Sequence, residues 1–268
     1  MAVLDLNDPA TNLRAFLRAR GTLGPELVTY WFVGNVYSFV PGERTKHLFA
    51  FEGFNIGRVT EAPGGYYLLT REAVFYKDPS TGAILDRWSN PWTNHEVEVV
   101  HVLNDPVNQH LQLEGPRGRW QVPVTEMGDD VYMNTDIFLN YPSPLPRSRF
   151  PQYSGSDEYQ AAELFQFFMK RSDLENEALL SVPSQCSWTR LGPWLPWMEM
   201  ADRPGMVVYH CRGKKLEGGY QQLPEQIREY VAQHHPEYQD APTTYTQPNE
   251  TSWTYFLKRL QQRGVAGS

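Results

Sequence analysis

Two histidines stand in apolar, strand-like surroundings, and they are the first residues whose type and place could do chemistry. His101 lies between Val99-Val100 and Val102, and His210 ends Val207-Val208-Tyr209. An imidazole in such a setting is either a core group satisfied by its neighbours or an acid–base group aimed into a cavity. Asn104 and Asp105 follow His101 closely and precede Pro106. They either build an Asx-type turn or orient His101 as a general acid or base, as a carboxylate does in known relays. Tyr30 and His210 are candidates for a second acid–base centre. Arg58 and Arg190 are candidates for holding a carboxylate or phenolate in the guanidinium fork. For Arg58 the alternative is a surface arginine at a strand edge.

The segment Trp188–Met198 packs three Trp, two Pro and one Arg into 11 residues, and no regular element is expected there. The rings of Trp188, Trp194 and Trp197, with Met198 and nearby Tyr209, either plug one end of the fold or wall a site for a flat aromatic ligand. In the second case Arg190 supplies a cation–π contact or a charge partner. His95 and His101, with His110 or His210, could bring three metal ligands from neighbouring strands, but their spacing matches no strong zinc signature. No metal and no other cofactor is assigned. The chain has no phosphate-binding loop, no G-x-G-x-x-G, no G-x-S-x-G elbow and no H-E-x-x-H, which argues against nucleotide-dependent kinases and dehydrogenases.

These side chains must be positioned by elements, and composition narrows which. Of 268 residues, 31 are acidic and 24 basic, a formal charge of -7 that argues against nucleic-acid and anionic-membrane partners. With 8 Trp, 15 Tyr and 13 Phe but only 21% charged residues, the chain reads as compact and turn-rich. Cys186 and Cys211 are too few for a disulfide framework or a four-thiolate zinc site, and are read as unlinked thiols. Asp5, Asp8, Arg14, Arg18 and Arg20 interrupt the N-terminal stretch, so Met1–Arg20 has no apolar signal core. Nothing approaches the roughly 18 apolar residues of a spanning helix. The expectation is a soluble protein, cytoplasmic, or periplasmic if a leader was removed.

Asp5–Arg20 has helical spacing. From Glu26 to about Leu139 the chain is a run of strands: Leu27–Val40, His47–Phe51, Ile56–Thr60, Tyr66–Lys77, Ile84–Trp88, Glu96–Val102, Gln109–Glu114, Trp120–Val124 and Val131–Asn140. Asp78-Pro79-Ser80-Thr81-Gly82 is a hairpin turn, with Pro79 setting one φ and Gly82 supplying an open one. Asp157–Arg171 reads as a helix with Leu164, Phe165 and Phe168 on one stripe and Lys170 and Arg171 at its end. A strand at Met206–Cys211 follows, and then two helices near 224–235 and 252–263. Strands in succession without crossover helices exclude a doubly wound parallel sheet. The expected class is mainly β (α+β): one domain built on an antiparallel, calycin- or lipocalin-like curved sheet or barrel at about 26–140 and 186–211, with helices at about 5–20, 157–171, 224–235 and 252–263.

Several blocks carry a family likeness. Tyr30-Trp31-Phe32-Val33-Gly34-Asn35-Val36-Tyr37, Phe51-Glu52-Gly53-Phe54-Asn55, Trp88-x-Asn90-Pro91, His101-Val102-x-Asn104-Asp105-Pro106-Val107 and Gly192-Pro193-Trp194-Leu195-Pro196-Trp197-Met198, with the Asp78 turn, resemble the bacterial and fungal family catalogued as domain of unknown function eighteen thirty-eight. The blocks run in order from Tyr30 to about Tyr220. The resemblance implies a single domain and transfers no catalytic residue. Its members often begin with an export signal, which Met1–Arg20 does not display.

The leading expectation is a cofactor-independent enzyme with a pocket for a small aromatic or polycyclic molecule, doing lyase, isomerase or cyclase chemistry by proton transfer. One concrete version is C–C cleavage of a lignin-like aryl dimer with loss of a small aldehyde. His101 with Asp105 or Asn104 forms one acid–base centre, Tyr30 or His210 another, and Arg58 or Arg190 holds the anion. Trp188, Trp194, Trp197, Met198 and Tyr209 form the wall. The alternatives are a lipocalin-like carrier of an apolar ligand and a metal-dependent hydrolase or oxygenase. A homo-oligomer is left open.

Overall fold

The computed structural model describes residues 4–116 and 118–265; Met1–Val3, where the N-terminal stretch read for an export signal begins, lie outside the described residues. The alternating Val, Tyr, Phe and Trp runs form one antiparallel sheet of ten strands. In chain order these are β1 (Val28–Phe39), β2 (His47–Ala62), β3 (Gly65–Lys77), β4 (Val102–Asn104), β5 (Gln109–Gln112), β6 (Val124–Met127), β7 (Asp130–Pro142), β8 (Glu158–Lys170), β9 (Gln185–Gly192) and β10 (Met206–Leu216). Side by side they run β6-β7-β8-β9-β10-β1-β2-β3, and β4 and β5 pair with different stretches of β3. The helices are α1 (Pro9–Arg20), α2 (Arg171–Glu175), α3 (Glu225–His234) and α4 (Ser252–Gln262).

The sheet is curved, but among the described residues β6 does not meet β4 or β5, so the closed-barrel form of the expectation is not realised. What fills the concavity explains this. At one end Leu13, Phe16 and Leu17 of α1 pack against Leu68 and Leu111 near one edge and Val131, Met133 and Phe167 near the other. Asn12 of α1 is fully buried and exchanges two hydrogen bonds with the main chain of Val122, of 2.9 and 3.0 Å. At the other end Trp194, Trp197 and Met198 join Phe49, Val100 and the α4 residues Trp253, Phe256 and Leu260 in a second core. Both fillings span the space between the edges and hold them apart. A third cluster lies on the outer side of β1–β3, where α3 buries Ile227 and Val231 against Phe54, Ile56 and Phe75.

Local signals account for the helices. Asp8 caps α1 by accepting from Thr11 N at 2.9 Å, Pro9 opens it, and Arg18 and Arg20 occupy its last turn, where cations favour the helix dipole. Thr251 and Thr254 form a reciprocal cap at the start of α4. The Asp78 turn forms as expected, with Asp78 Oδ1 accepting from Ser80 N and Thr81 N and Gly82 at φ 72°.

Three readings need correction. Asp157–Arg171 is not a helix: Glu158–Lys170 is a 13-residue strand paired with β7 on one side and β9 on the other. Its inward residues Tyr159, Ala161, Phe167 and Met169 are buried, a period of two that outweighs the helical stripe once both neighbours are present. The Trp188–Met198 segment is regular at both ends, since Gln185–Gly192 is β9 and Pro196–Met198 is a single 3₁₀ turn. His47–Phe51 and Ile56–Thr60 are parts of one continuous strand, β2.

Candidate functional site

Directly opposed residues of an antiparallel sheet share a face, so the register identifies what lines the concave side. One row is Lys215–Tyr30–Asn55–Glu72–Asn104, and another is Trp188–Cys211–Gly34–Phe51–Tyr76. Phe32 and Gly53 lie between them. Between the α1 filling and the Trp filling this face stays partly open: Phe32, Phe165, Trp188, Cys186, Glu72 and Arg20 all keep accessible surface. They line a trough.

Its floor is aromatic and low. A Cβ on Gly34 would come within 2.6 Å of Phe51 Cζ, and one on Gly53 within 2.8 Å of Phe32 Cε2. The two rings therefore occupy the space that side chains would take, lying down across the sheet. Trp188 stands beside this floor, 5.9 Å from the Phe165 ring and 5.6 Å from the Tyr209 ring.

At the α1 end the trough holds a sparsely paired charged group. Arg20, the last residue of α1, donates to Asn55 Oδ1 at 2.6 Å and lies 5.2 Å from the Tyr30 ring centre. Its other N–H groups have no protein hydrogen bond among the described residues. Among the described residues Glu72 accepts only from Asn104 Nδ2, at 3.3 Å. Burial raises the Glu72 carboxyl to about 7; the like charge of Glu163 adds to the rise, and Arg20, Asn104 and Arg190 offset part of it. Glu72 retains some accessible surface while protein surrounds it, as befits a carboxylate low on a concave face.

The other end is densely paired. Arg190 donates to Tyr159 OH at 2.6 Å, pairs with Glu163 at 3.5 Å, and lies 5.3 and 5.6 Å from the ring centres of Tyr209 and Trp253. Burial alone would favour loss of its proton, but Tyr159, Tyr209 and Glu163 outweigh it and hold the guanidinium charged. Tyr209 OH and Tyr76 OH are 2.8 Å apart, and burial pushes Tyr209 up to about 12.

The sequence candidates fall on both sides of this division. Trp188 and Asn104 keep accessible surface on the trough face, and Arg190 and Tyr209 are buried at its far end. Tyr30 is buried under α1, its hydroxyl bonded to Ala19 O and Ser184 Oγ, and burial raises its pKa. The expected relay is not assembled. His101 is buried among the rings of Phe75, Tyr76 and Tyr230, its Nδ1 accepts from Tyr76 N at 3.2 Å, and burial lowers it to about 4. Asp105 instead pairs with Arg71 at 2.8 Å, and Asn104 turns to Glu72. His210 is on the outward face beside Thr189 Oγ1. Arg58 is a partly exposed surface arginine paired with Asp240 at 2.8 Å. Trp194, Trp197 and Met198 are buried in the filling at the far end, so the plug describes them better than the wall. His95 pairs with Glu199 and His110 with Pro63 O; no group of three or more His, Cys, Asp or Glu side chains among the described residues is placed to hold a metal ion.

Sequence reasoning missed Glu72, Arg20, Asn55 and Glu163. A carboxylate inside the apolar strand Glu72-Ala73-Val74-Phe75-Tyr76 was a usable signal, because Glu72 and Tyr76 share a strand face. Arg20 had none, since helix termini commonly carry arginine.

A single curved antiparallel sheet of ten strands defines the fold class. The chain belongs to the family described as "Protein of unknown function (DUF1838)", whose model matches residues 25–260. Glu72, Asn55, Asn104 and Arg190 lie inside that match, whereas Arg20 precedes it. No curated protein matches the chain, and no helix among the described residues is long and apolar enough to cross a membrane.

Proposed function

We infer that this protein is an acid–base enzyme that holds a small aromatic molecule in the trough and moves a proton with Glu72. The observation that carries this reading is a carboxyl group raised to about 7, with no donor on its second oxygen among the described residues, on the same face as an incompletely paired arginine and a floor of rings. A base poised near the working pH combines the right protonation state with driving force for transfer. Arg20 would take a phenolate or carboxylate of the ligand, and Phe32 and Trp188 would stack on its ring. Lyase and isomerase reactions fit this set of groups. In the C–C cleavage version Glu72 takes a hydroxyl proton, the O–H electron pair becomes the carbonyl of the departing aldehyde, and the carbon left beside the ring keeps the C–C pair and is reprotonated. That sequence balances without any redox partner.

The test offers a panel of phenolic carboxylates in D2O to the wild type and to Glu72→Gln. NMR follows deuterium incorporation and turnover, and ligand-induced changes in the NMR signals follow binding. Binding by both proteins, with exchange or turnover by the wild type alone, is the expected result. Binding by both without chemistry would make the protein a carrier, and absence of binding would end the trough reading.

A further inference from the structure

The outward side of β1–β3 is covered by α3, Leu223 and Tyr238. The outward side of β7–β10 is not: none of its residues among positions 132–140, 160–168, 185–191 and 206–214 is buried. Phe138 is 76% exposed and Leu164 37%. The register arranges this face in rows across the four strands. Phe138–Ala162–Leu191–Val208 is wholly apolar, Asp136–Leu164–Thr189–His210 comes next, and Asn134–Gln166–Ser187–Arg212 follows. Four strands about 4.8 Å apart and three rows about 7 Å apart make a patch roughly 20 Å square, the scale of a small specific interface once its rims are included. A contiguous apolar row on an open sheet face marks an interaction surface more often than a solvated one.

The charges identify the occupant. In these rows the acid, Asp136, is on β7, and the groups able to carry positive charge, His210 and Arg212, are on β10. A two-fold axis parallel to the strands, between β8 and β9, lays a second copy face to face on the first. It exchanges β7 with β10 and β8 with β9 while keeping every row at its own height. Asp136 then faces His210 across the axis with Arg212 one row away, Phe138 faces Val208, and Ala162 faces Leu191. Every contact occurs twice, and no row sets like charges opposite each other, which is what a closed isologous contact requires. We propose that the outward face of β7–β10 is the interface of a homodimer.

Sedimentation of the full chain over a range of micromolar concentrations tests this, with circular dichroism to confirm folding of each variant. The wild type is expected to sediment as a dimer. Phe138→Glu should weaken dimerisation roughly tenfold or more, as loss of an apolar anchor does. Asp136→Arg should weaken it as well, and adding His210→Glu to that variant should restore most of the loss, because the exchanged charges again face each other. A monomer at every concentration overturns the proposal. So does a dimer whose affinity Phe138→Glu and Asp136→Arg leave unchanged, or a charge exchange that restores nothing.

Discussion

The two polar ends of the trough bury charge in opposite ways. At the far end Arg190 is 6% exposed, yet Tyr159, Glu163 and two aromatic rings surround its guanidinium. At the near end Glu72 has one long hydrogen bond from Asn104 and no direct ion pair among the described residues. A fully partnered network rigidifies the fold and leaves little for a ligand to gain, whereas an underpartnered charge stays near its titration point and offers a free oxygen. Chemistry is therefore expected at Glu72, and architecture at Arg190.

The comparison breaks most readily at Glu72. Glu72→Gln removes a proton acceptor while keeping shape, and turnover should fall about 10²- to 10⁴-fold. Stability should move the other way. The folded carboxyl titrates near 7 against 4.5 for the ordinary group, so between those values the folded protein binds more protons than the unfolded chain. Stability is then fully present below about pH 4.5 and declines as pH rises through 7. Glu72→Gln removes that decline, a difference of about 1–3 kcal/mol readable as urea midpoints at pH 5 and pH 8. Arg190→Met makes the contrast, because it strips the partner from Glu163 and leaves Tyr159 OH unbonded to the guanidinium. Stability should drop by about 3 kcal/mol at either pH, and the Glu72 midpoint should climb, since Arg190 helps to hold it down. Should Arg190→Met abolish turnover with stability intact, the assignment of the two ends is reversed.

Gly192 sharpens the Arg190 side. A Cβ there would lie 2.8 Å from Arg190 Nη2 and 2.9 Å from Cζ, so the guanidinium rests on a residue that has no side chain. Gly192→Ala should cost about 1–3 kcal/mol through overpacking, and a chemical-denaturation midpoint reads it. If the substitution is silent, the guanidinium is not locked as the contacts suggest.

How much of this was legible in the sequence depended on whether the signal was local. Strands β1, β3 and β7, the Asp78 turn and three of the four helices follow from spacing, caps and breakers within a few residues. Glu158–Lys170 did not, because Leu164, Phe165 and Phe168 suit a helical stripe as well as a strand, and Lys170 with Arg171 resembles a helix end. Only pairing with β7 and β9 decides it. The open sheet was illegible for a similar reason: α1 and the Trp194–Met198 segment keep its edges apart, and neither lies near β4 or β6 in sequence. The site suffered most. Glu72 and Arg20 come to one face through a helix docked on a sheet 52 positions away, whereas His101 and Asp105, four positions apart, flank β4 and face different partners.

His101 gives the smallest expected effect and the cleanest separation between a residue that looks chemical in sequence and one that is placed for chemistry. Burial lowers its pKa to about 4, so the ring is neutral at pH 6 and above and is a weak base there. Its Nδ1 serves the main-chain N–H of Tyr76, a backbone donor that would otherwise be buried without a partner. His101→Gln can retain an acceptor for that N–H while removing the imidazole, so the loss should be about 1 kcal/mol, with turnover within roughly twofold of the wild type and its pH profile unmoved. A collapse of turnover in His101→Gln, with Glu72→Gln remaining active, would return the chemistry to the edge of the sheet and leave the trough as a binding surface alone.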